Sequence, residues 1–388
     1  MSETRPRARD LGIPLDGTPG PHNALTDVPG VEIGYTTLID GEPGAERVAR
    51  TGVTAILPRG RAGAGIPCAA GTSSFNGNGE MTGRAWIDEA GSFSTPIAIT
   101  NSHAVGAVHR GVDQWMDRHH PEISAQWMLP VVAETWDGYL NQINGDHVTS
   151  GHAIAALDAA RSGPVAEGNV GGGTGMNCYS FKGGSGTSSR VVPYGDSSYV
   201  VGAFVQANFG SREELSVAGR RLGPDSAAPA PIEDIAWFLR DGERARSVPG
   251  AGSVIVVIGT DAPLLPGQCA ALARRVPLGL ARTGTTGSHF SGDIFLAFST
   301  ANTGALVSRM DEARELDSLS FVPWGRIDPF YTATVQAVEE AVLNALVAAE
   351  DMAGREDHVS YALPHDEVRA AFRTAVPAGA AALADSAA

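Results

Sequence analysis

"TTGSHFSGDIFLAFSTAN", residues 285–302, sets two serines, a histidine and two glycines directly before Ile294-Phe295-Leu296-Ala297-Phe298. A continuous apolar run of this length, rich in aromatic and branched residues, reads as a strand covered on both faces. The residues before it therefore stand at an edge of the core, where glycine permits close backbone approach. The stretch is either a tight turn or a device that presents a serine. "GSHFSG" lacks the spacing of a G-x-S-x-G elbow and no strand precedes it, so Ser288 or Ser291 needs another means of activation. One physical solution is a chain break just before the serine. The freed α-amine, with a pKa near about 8, then sits within reach of its own hydroxyl and serves as the base. A serine in an ordinary turn is the alternative.

Outward from this strand, "VEIGYTTL" (31–38), "TGVTAILP" (51–58), "SSYVVGAFVQAN" (197–208) and "SVIVVIGT" (253–260) also read as strands. A helix is expected from near Val105 and another through Ala160, with Thr149 or Ser150 as N-cap. "GQCAALARRVPLGLARTG" is helical up to Arg282, and "YTATVQAVEEAVLNALVAAEDM" is a strong helix with Val335, Val338, Val342, Leu346 and Ala349 on one face. "GTSSFNGNGEMTG" (71–83) reads as a glycine-broken loop carrying Asn76, Asn78 and Glu80. Residues 219–250 read as an inserted surface segment with a short helix around Ile235 to Leu239, and the Ala-rich last fifteen residues as a frayed end. Strands and helices mix without a βαβ beat, repeat or composition break. The expectation is one α+β domain over residues 1–388, built in layers rather than as a Rossmann sheet.

Composition narrows the function. The 388 residues are 43% hydrophobic and 18% charged, a globular balance with length enough for a large core. A net charge of -15 argues against nucleic acid and anionic membranes as partners. Cys68, Cys178 and Cys269 are odd in number and without CxxC spacing, which reads as three small core residues in a reducing compartment. With no apolar signal region and no run of 18 apolar residues, a cytoplasmic protein is expected. The glycine run 171–175 is not a phosphate loop, because Lys182 is followed by Gly183, and it lacks the strand-to-helix context of a dinucleotide site. It is either turns packed on a sheet or part of an active-site rim. The histidines, including His119-His120, form no zinc motif.

The chain resembles the family of L-aminopeptidase/D-amidase-esterases and β-peptidyl aminopeptidases. The resemblance rests on "RARDLGIPLDGTPGPHNALTDVPGVEIGYTTLI", "FNGNGEMTG", "PIAITNSHAVG", "VVAETWDGYLN", "GPVAEGNVGGGTGM", "FKGGSGTSSR", "VQANFG", "TDAPLLP", "LARTG", "SGDIFLAFSTAN" and "VEEAVLNALVAAEDM", in order over most of residues 6–352. It implies a four-layer αββα sandwich like that of N-terminal nucleophile hydrolases, with its own connectivity. It also implies a precursor that cleaves itself before a nucleophilic Ser or Thr, assemblies of four or more αβ units, short peptide or amide substrates, and no metal or organic cofactor.

Position by position, the resemblance makes Ser291 the nucleophile and first residue of a β chain 291–388, with 1–290 as the α chain. Asn208 and Tyr139 would stabilise the oxyanion, and Lys182 would be a cation near the nucleophile; its bland reading is a surface lysine at a turn. Glu340, or Glu339 beside it, would orient the new amine. Glu134 and Asp137 are candidates to receive a substrate ammonium, with Trp136 as a pocket wall or plain core. Two departures stand out: Phe290 where the family has a small residue or Asn, and Val338 where it often has a hydroxyl. Ser288, after Gly287, is the alternative nucleophile. Competing functions are an amide hydrolase of 6-aminohexanoate oligomers, an acyltransferase using the same acyl-enzyme, and an uncleaved homologue that binds amino compounds.

Overall fold

The computed structural model describes residues 5–234 and 252–373. The strands that build its two large sheets are β1 (Glu32–Asp40), β2 (Ala49–Leu57), β3 (Cys68–Gly77), β4 (Ser92–Phe93), β5 (Ile97–Asn101), β6 (Val131–Thr135), β7 (Gly184–Tyr194), β8 (Ser197–Asn208), β9 (Gly252–Thr260) and β10 (Ser291–Ser299). One sheet has the order β1-β2-β5-β6, the other β4-β3-β10-β9-β8-β7. Helices α1 (Val105–His119), α2 (Ser150–Asp158), α3 (Pro266–Ala273), α4 (Val276–Ala281) and α5 (Asp328–Ala348) cover them.

The layering follows from the alternation of side chains along each strand. In β10, Ile294, Leu296 and Phe298 face inward, where they meet Ile255 and Val257 of β9 and Ile56, Ile97, Ile99 and Val131 of the other sheet. Phe295 and Ala297 face outward into a second core with Leu272 of α3 and Val342 and Leu346 of α5. A third core lies outside the four-stranded sheet, where Val53 and Val132 meet Val112 and Trp115 of α1 and Leu157 of α2. Helices, sheet, sheet and helices are thus four layers with three apolar interfaces, the expected αββα sandwich. Close helix contact is bought by small residues: a Cβ on Gly186 of β7 would stand 2.0 Å from the Ala341 carbonyl of α5.

Several local expectations change. Residues 68–77 form β3, because this serine- and glycine-rich stretch pairs antiparallel with β10 and so belongs to the middle of a sheet. The helix through Arg282 is two helices, with Pro277 in the first turn of the second. Thr149 is the N-cap of α2. The α5 helix is buried on nearly all sides rather than on one stripe. Gly171–Gly173 form a short 3-10 turn whose glycines abut Tyr35, Thr54, Gln206 and Ser185, so the run is packed structure rather than a phosphate cradle. All three cysteines are buried and free. The helix expected around Ile235 to Leu239 and the Ala-rich terminus lie outside the described residues.

Candidate active site

Ser291 is the first residue of β10 and is buried (2% exposed), at the centre of the six-stranded sheet. Across the sheet, Gly292 is in register with Ser253 of β9, and Ser253 with Asn208 at the end of β8. Three neighbouring strands therefore bring Asn208 and Gly292 to the same level, about 10 Å apart at the usual strand spacing. Alternation turns Asn208, Ser253 and Gly292 towards the space between the sheets. Ser291 shares the outward face with Asp293, and its hydroxyl donates to Asp293 Oδ1.

The turn before Ser291 is held from outside. Ser291 N donates to Ser288 O at 3.0 Å. Asn76 Nδ2 donates to Ser288 O and to Asp293 Oδ2, both at 2.9 Å. Asn78 Nδ2 donates to Phe290 O at 2.9 Å. Phe290 itself is half exposed, its ring edge-on to His289. A bulky residue at this position, a departure from the small residue or Asn of the family, meets solvent rather than the core. Gly292 is obligatory: a Cβ there would stand 2.3 Å from Asn78 O and 2.7 Å from Gly79 Cα. Burial raises the Asp293 carboxyl above its ordinary value, against hydrogen bonds from Ser291 and Asn76.

The loop that follows β6 supplies the opposite wall. Trp136 N donates to Ser253 Oγ at 3.1 Å, and Asn208 Nδ2 donates to Trp136 O at 2.8 Å. Asn177 N donates to Asn208 Oδ1 at 2.9 Å, which fixes the amide with its NH2 towards this wall. Trp136 also packs on the small cluster of Tyr139, Leu140 and Met352, so it is both wall and core. Glu134, at the end of β6, is 5% exposed. Its Oε1 accepts from Glu80 N at 2.9 Å and its Oε2 from Ser102 Oγ. A Cβ placed on Gly79 would be within 3.1 Å of Glu134 Oε1 and 3.0 Å of Gly292 Cα, which measures how near this carboxylate lies to the serine strand. Burial raises the Glu134 carboxyl.

Lys182 is fully buried, so the surface reading is excluded. Its Nζ donates to Met176 O at 2.8 Å and Gly183 O at 2.9 Å, and its backbone pairs with Asn177, the residue that holds Asn208. Burial pulls its ammonium down to about 7, with Asp137 pushing the other way. Asp137 is itself buried, accepts from Asn141 Nδ2 at 2.9 Å, and is pushed up to about 7 by burial. It is a neighbour of the lysine rather than a surface receptor for ammonium. Tyr139 stacks on His358 at 4.6 Å with its hydroxyl 3.4 Å from Val359 O, and burial pushes it up to about 12.

The acidic pair requires a correction. Glu340 accepts from Arg9 Nε at 2.9 Å, Asn23 Nδ2 at 2.6 Å and Arg190 Nη2 at 2.7 Å. Arg190 lies on β7, the sheet edge three strands from β10, so Glu340 ties the N-terminal arm and β7 to α5 instead of facing Ser291. Glu339 pairs with Arg282 at 2.9 Å, between helix α5 and the end of α4. Val338 is core, packed beside Gly279. Residue periodicity could not reveal this, because both glutamates lie on a helix buried almost all round. Conversely, Asn76, Asn78, Ser253 and Asp293 were given no role by the sequence, although "FNGNG" and "SGD" contain three of them.

A buried serine opening the central strand of an αββα sandwich, with an amide at a strand end two strands away and a carboxylate at a strand end of the other sheet, fits a hydrolase of the N-terminal-nucleophile fold type. The chain belongs to Peptidase family S58, whose profile matches residues 23–360. It is 48% identical to the β-peptidyl aminopeptidase BapA of Sphingosinicella microcystinivorans over 95% of this chain and 92% of that protein. The corresponding value for BapA of Sphingosinicella xenopeptidilytica is 44%, over 96% and 92%. Among solved structures, the L-aminopeptidase D-Ala-esterase/amidase of Ochrobactrum anthropi, described as a new variant among the Ntn hydrolase fold, matches with TM-score 0.86 and 45% identity, covering 95% of this chain and 98% of that one. Among the described residues no helix is long and apolar enough to cross a membrane.

Proposed function

We propose that this aminopeptidase-family hydrolase removes the N-terminal residue of short peptides, amides or esters through an acyl-enzyme on Ser291, β-amino residues being the preferred class. The carrying observation is the position of Ser291: buried, first on the central strand, two strands from Asn208, with Glu134 near the backbone of the next residue, Gly292. Cleavage between Phe290 and Ser291 yields chains 1–290 and 291–388 and frees Ser291 from the turn closed on Ser288 O. As a chain terminus it can swing its hydroxyl to the inner face, where Asn208 and Trp136 lie. Its own α-amine then takes the hydroxyl proton as Oγ attacks the substrate carbonyl. The Asn208 amide, held in orientation by Asn177, receives the oxyanion, with Tyr139 on the same loop as Trp136 assisting. Glu134 pairs with the substrate ammonium, a charge-assisted contact that sets the one-residue reading frame. The intermediate collapses with cleavage of the substrate C–N or C–O bond, the α-ammonium passing its proton to the leaving group; water, deprotonated by the freed α-amine, then hydrolyses the ester to the amino acid and the free Ser291 hydroxyl.

The preference for β-residues is supported by the names of two relatives at 44–48% identity. The test is hydrolysis of matched p-nitroanilides of a β-homoamino acid, an L-amino acid and a D-amino acid, with Ser291→Ala as control. Faster turnover of the β-substrate and no turnover by the variant are expected. Equal activity of Ser291→Ala overturns the assignment of the nucleophile.

A further inference from the structure

The intact chain carries a second, separate set of groups around the Phe290–Ser291 bond. The geometry points to Asp293 as the base and Asn78 as the oxyanion donor for scission of this bond, distinct from the groups that hydrolyse substrate. The inference rests on the proposal that Ser291 becomes a chain terminus.

The carbonyl oxygen of Phe290 is the one on which negative charge develops when Ser291 Oγ attacks its carbon. It already accepts a hydrogen bond from Asn78 Nδ2 at 2.9 Å. The attacking hydroxyl already donates to Asp293 Oδ1, and Asp293 is fixed through its other oxygen by Asn76. Asn76 also holds Ser288 O, so the end of β3 and the residue after it, 76–78, grip both ends of the turn that contains the bond. Asn208 faces the space between the sheets, whereas Asp293 lies on the outer face with the hydroxyl in its present position. The raised carboxyl of Asp293 brings it nearer in basicity to a useful proton acceptor, and its burial keeps water from competing.

The step balances as follows. The Oγ–C bond to Phe290 forms while the hydroxyl proton passes to Asp293, and the oxyanion is held by the Asn78 amide. The C–N bond then breaks, and the Ser291 nitrogen recovers the proton from Asp293 to become the amine. An ester joins Phe290 to Ser291 Oγ. Water hydrolyses it to the Phe290 carboxylate and the free hydroxyl.

The test follows appearance of chains 1–290 and 291–388 by intact mass after refolding full-length precursor, for wild type, Ser291→Ala, Asp293→Asn and Asn78→Ala. Asn78 is exposed, so its replacement leaves the core intact even where Asp293→Asn does not fold. Expected are scission about a hundredfold slower in Asn78→Ala, an equal or larger loss in Asp293→Asn, and a wild-type rate that falls with acidification while any residual rate in Asp293→Asn is flat. Hydroxylamine, which traps an ester, is expected to leave both variants slow because they are blocked before the ester forms. Wild-type scission rates in both variants, or full rescue by hydroxylamine, overturn the inference. A wild-type chain that never splits, or splits elsewhere, overturns the underlying reading of Ser291 instead.

Discussion

Replacing Glu340 by Gln separates an anchoring role from a catalytic one. Arg190 is 2% exposed and Glu340 fully buried, with 2.7 Å between Nη2 and Oε2, and Arg9 closes on the same carboxylate. Removing the charge leaves a buried guanidinium without compensation, which costs about 3–5 kcal/mol. For a chain of 388 residues the unfolding entropy is about 0.8 kcal/mol per degree, so the Tm falls by about 4–6 °C. The effect has a defined pH window. Burial opposes the Glu340 charge, but Arg9, Arg190 and Asn23 outweigh it and hold the carboxyl below its ordinary value. Such a group stabilises fully above its unfolded pKa of about 4.3, and the contribution is lost as pH falls through the folded value. The gap between wild type and Glu340→Gln therefore closes on acidification below about 4. Calorimetry gives the Tm, and turnover measured well below it gives kcat. An unchanged Tm, or a tenfold loss of kcat in a fully folded variant, refutes the anchoring role.

Three further outcomes follow from the site. Gly292→Ala forces its Cβ against the backbone of residues 78 and 79; we expect destabilisation of about 1–3 kcal/mol and slower appearance of chain 291–388, and normal rates would contradict the packing described. Glu134→Gln loses a charge-assisted contact of about 1.5–3 kcal/mol, raising KM for substrates with a free amino terminus about ten- to a hundredfold; an unchanged KM removes Glu134 from ammonium binding. Lys182 has its ammonium pulled down to about 7, so the unfolded chain binds a proton that the folded one does not between there and about 10.4. Its burial cost is relieved as pH rises through that window; denaturant midpoints of wild type relative to Lys182→Met should climb from pH 7 to 10, and a constant difference would show that the lysine is not depressed.

The strands were legible because their signal is local. "SGDIFLAFS" and "SVIVVIGT" are apolar on both faces, which only a covered sheet explains, and glycines at 186 and 292 mark where backbones meet. That Ser291 opens the first of these strands, at an edge of the core, was legible for the same reason. β3 was not legible, since Ser73, Ser74 and Gly77 have weak strand preference and owe their conformation to pairing with β10, more than two hundred residues away. Lys182 could not be told from a surface lysine until the carbonyls of Met176 and Gly183 were seen to enclose it. Glu340 was assigned through the resemblance, which names a position but not its neighbours; those are Arg9 and Arg190, from segments 331 and 150 residues away.

What the sequence determined by itself is the layered α+β class and the buried strand that Ser291 opens, because apolar period and residue size act over a few neighbours. What tertiary structure decided is the company each polar group keeps. Asn78 meets the Phe290 carbonyl, Asp293 the Ser291 hydroxyl and Glu340 two arginines. Hydrogen bonds and ion pairs form over about 3 Å between segments that sequence separation does not relate.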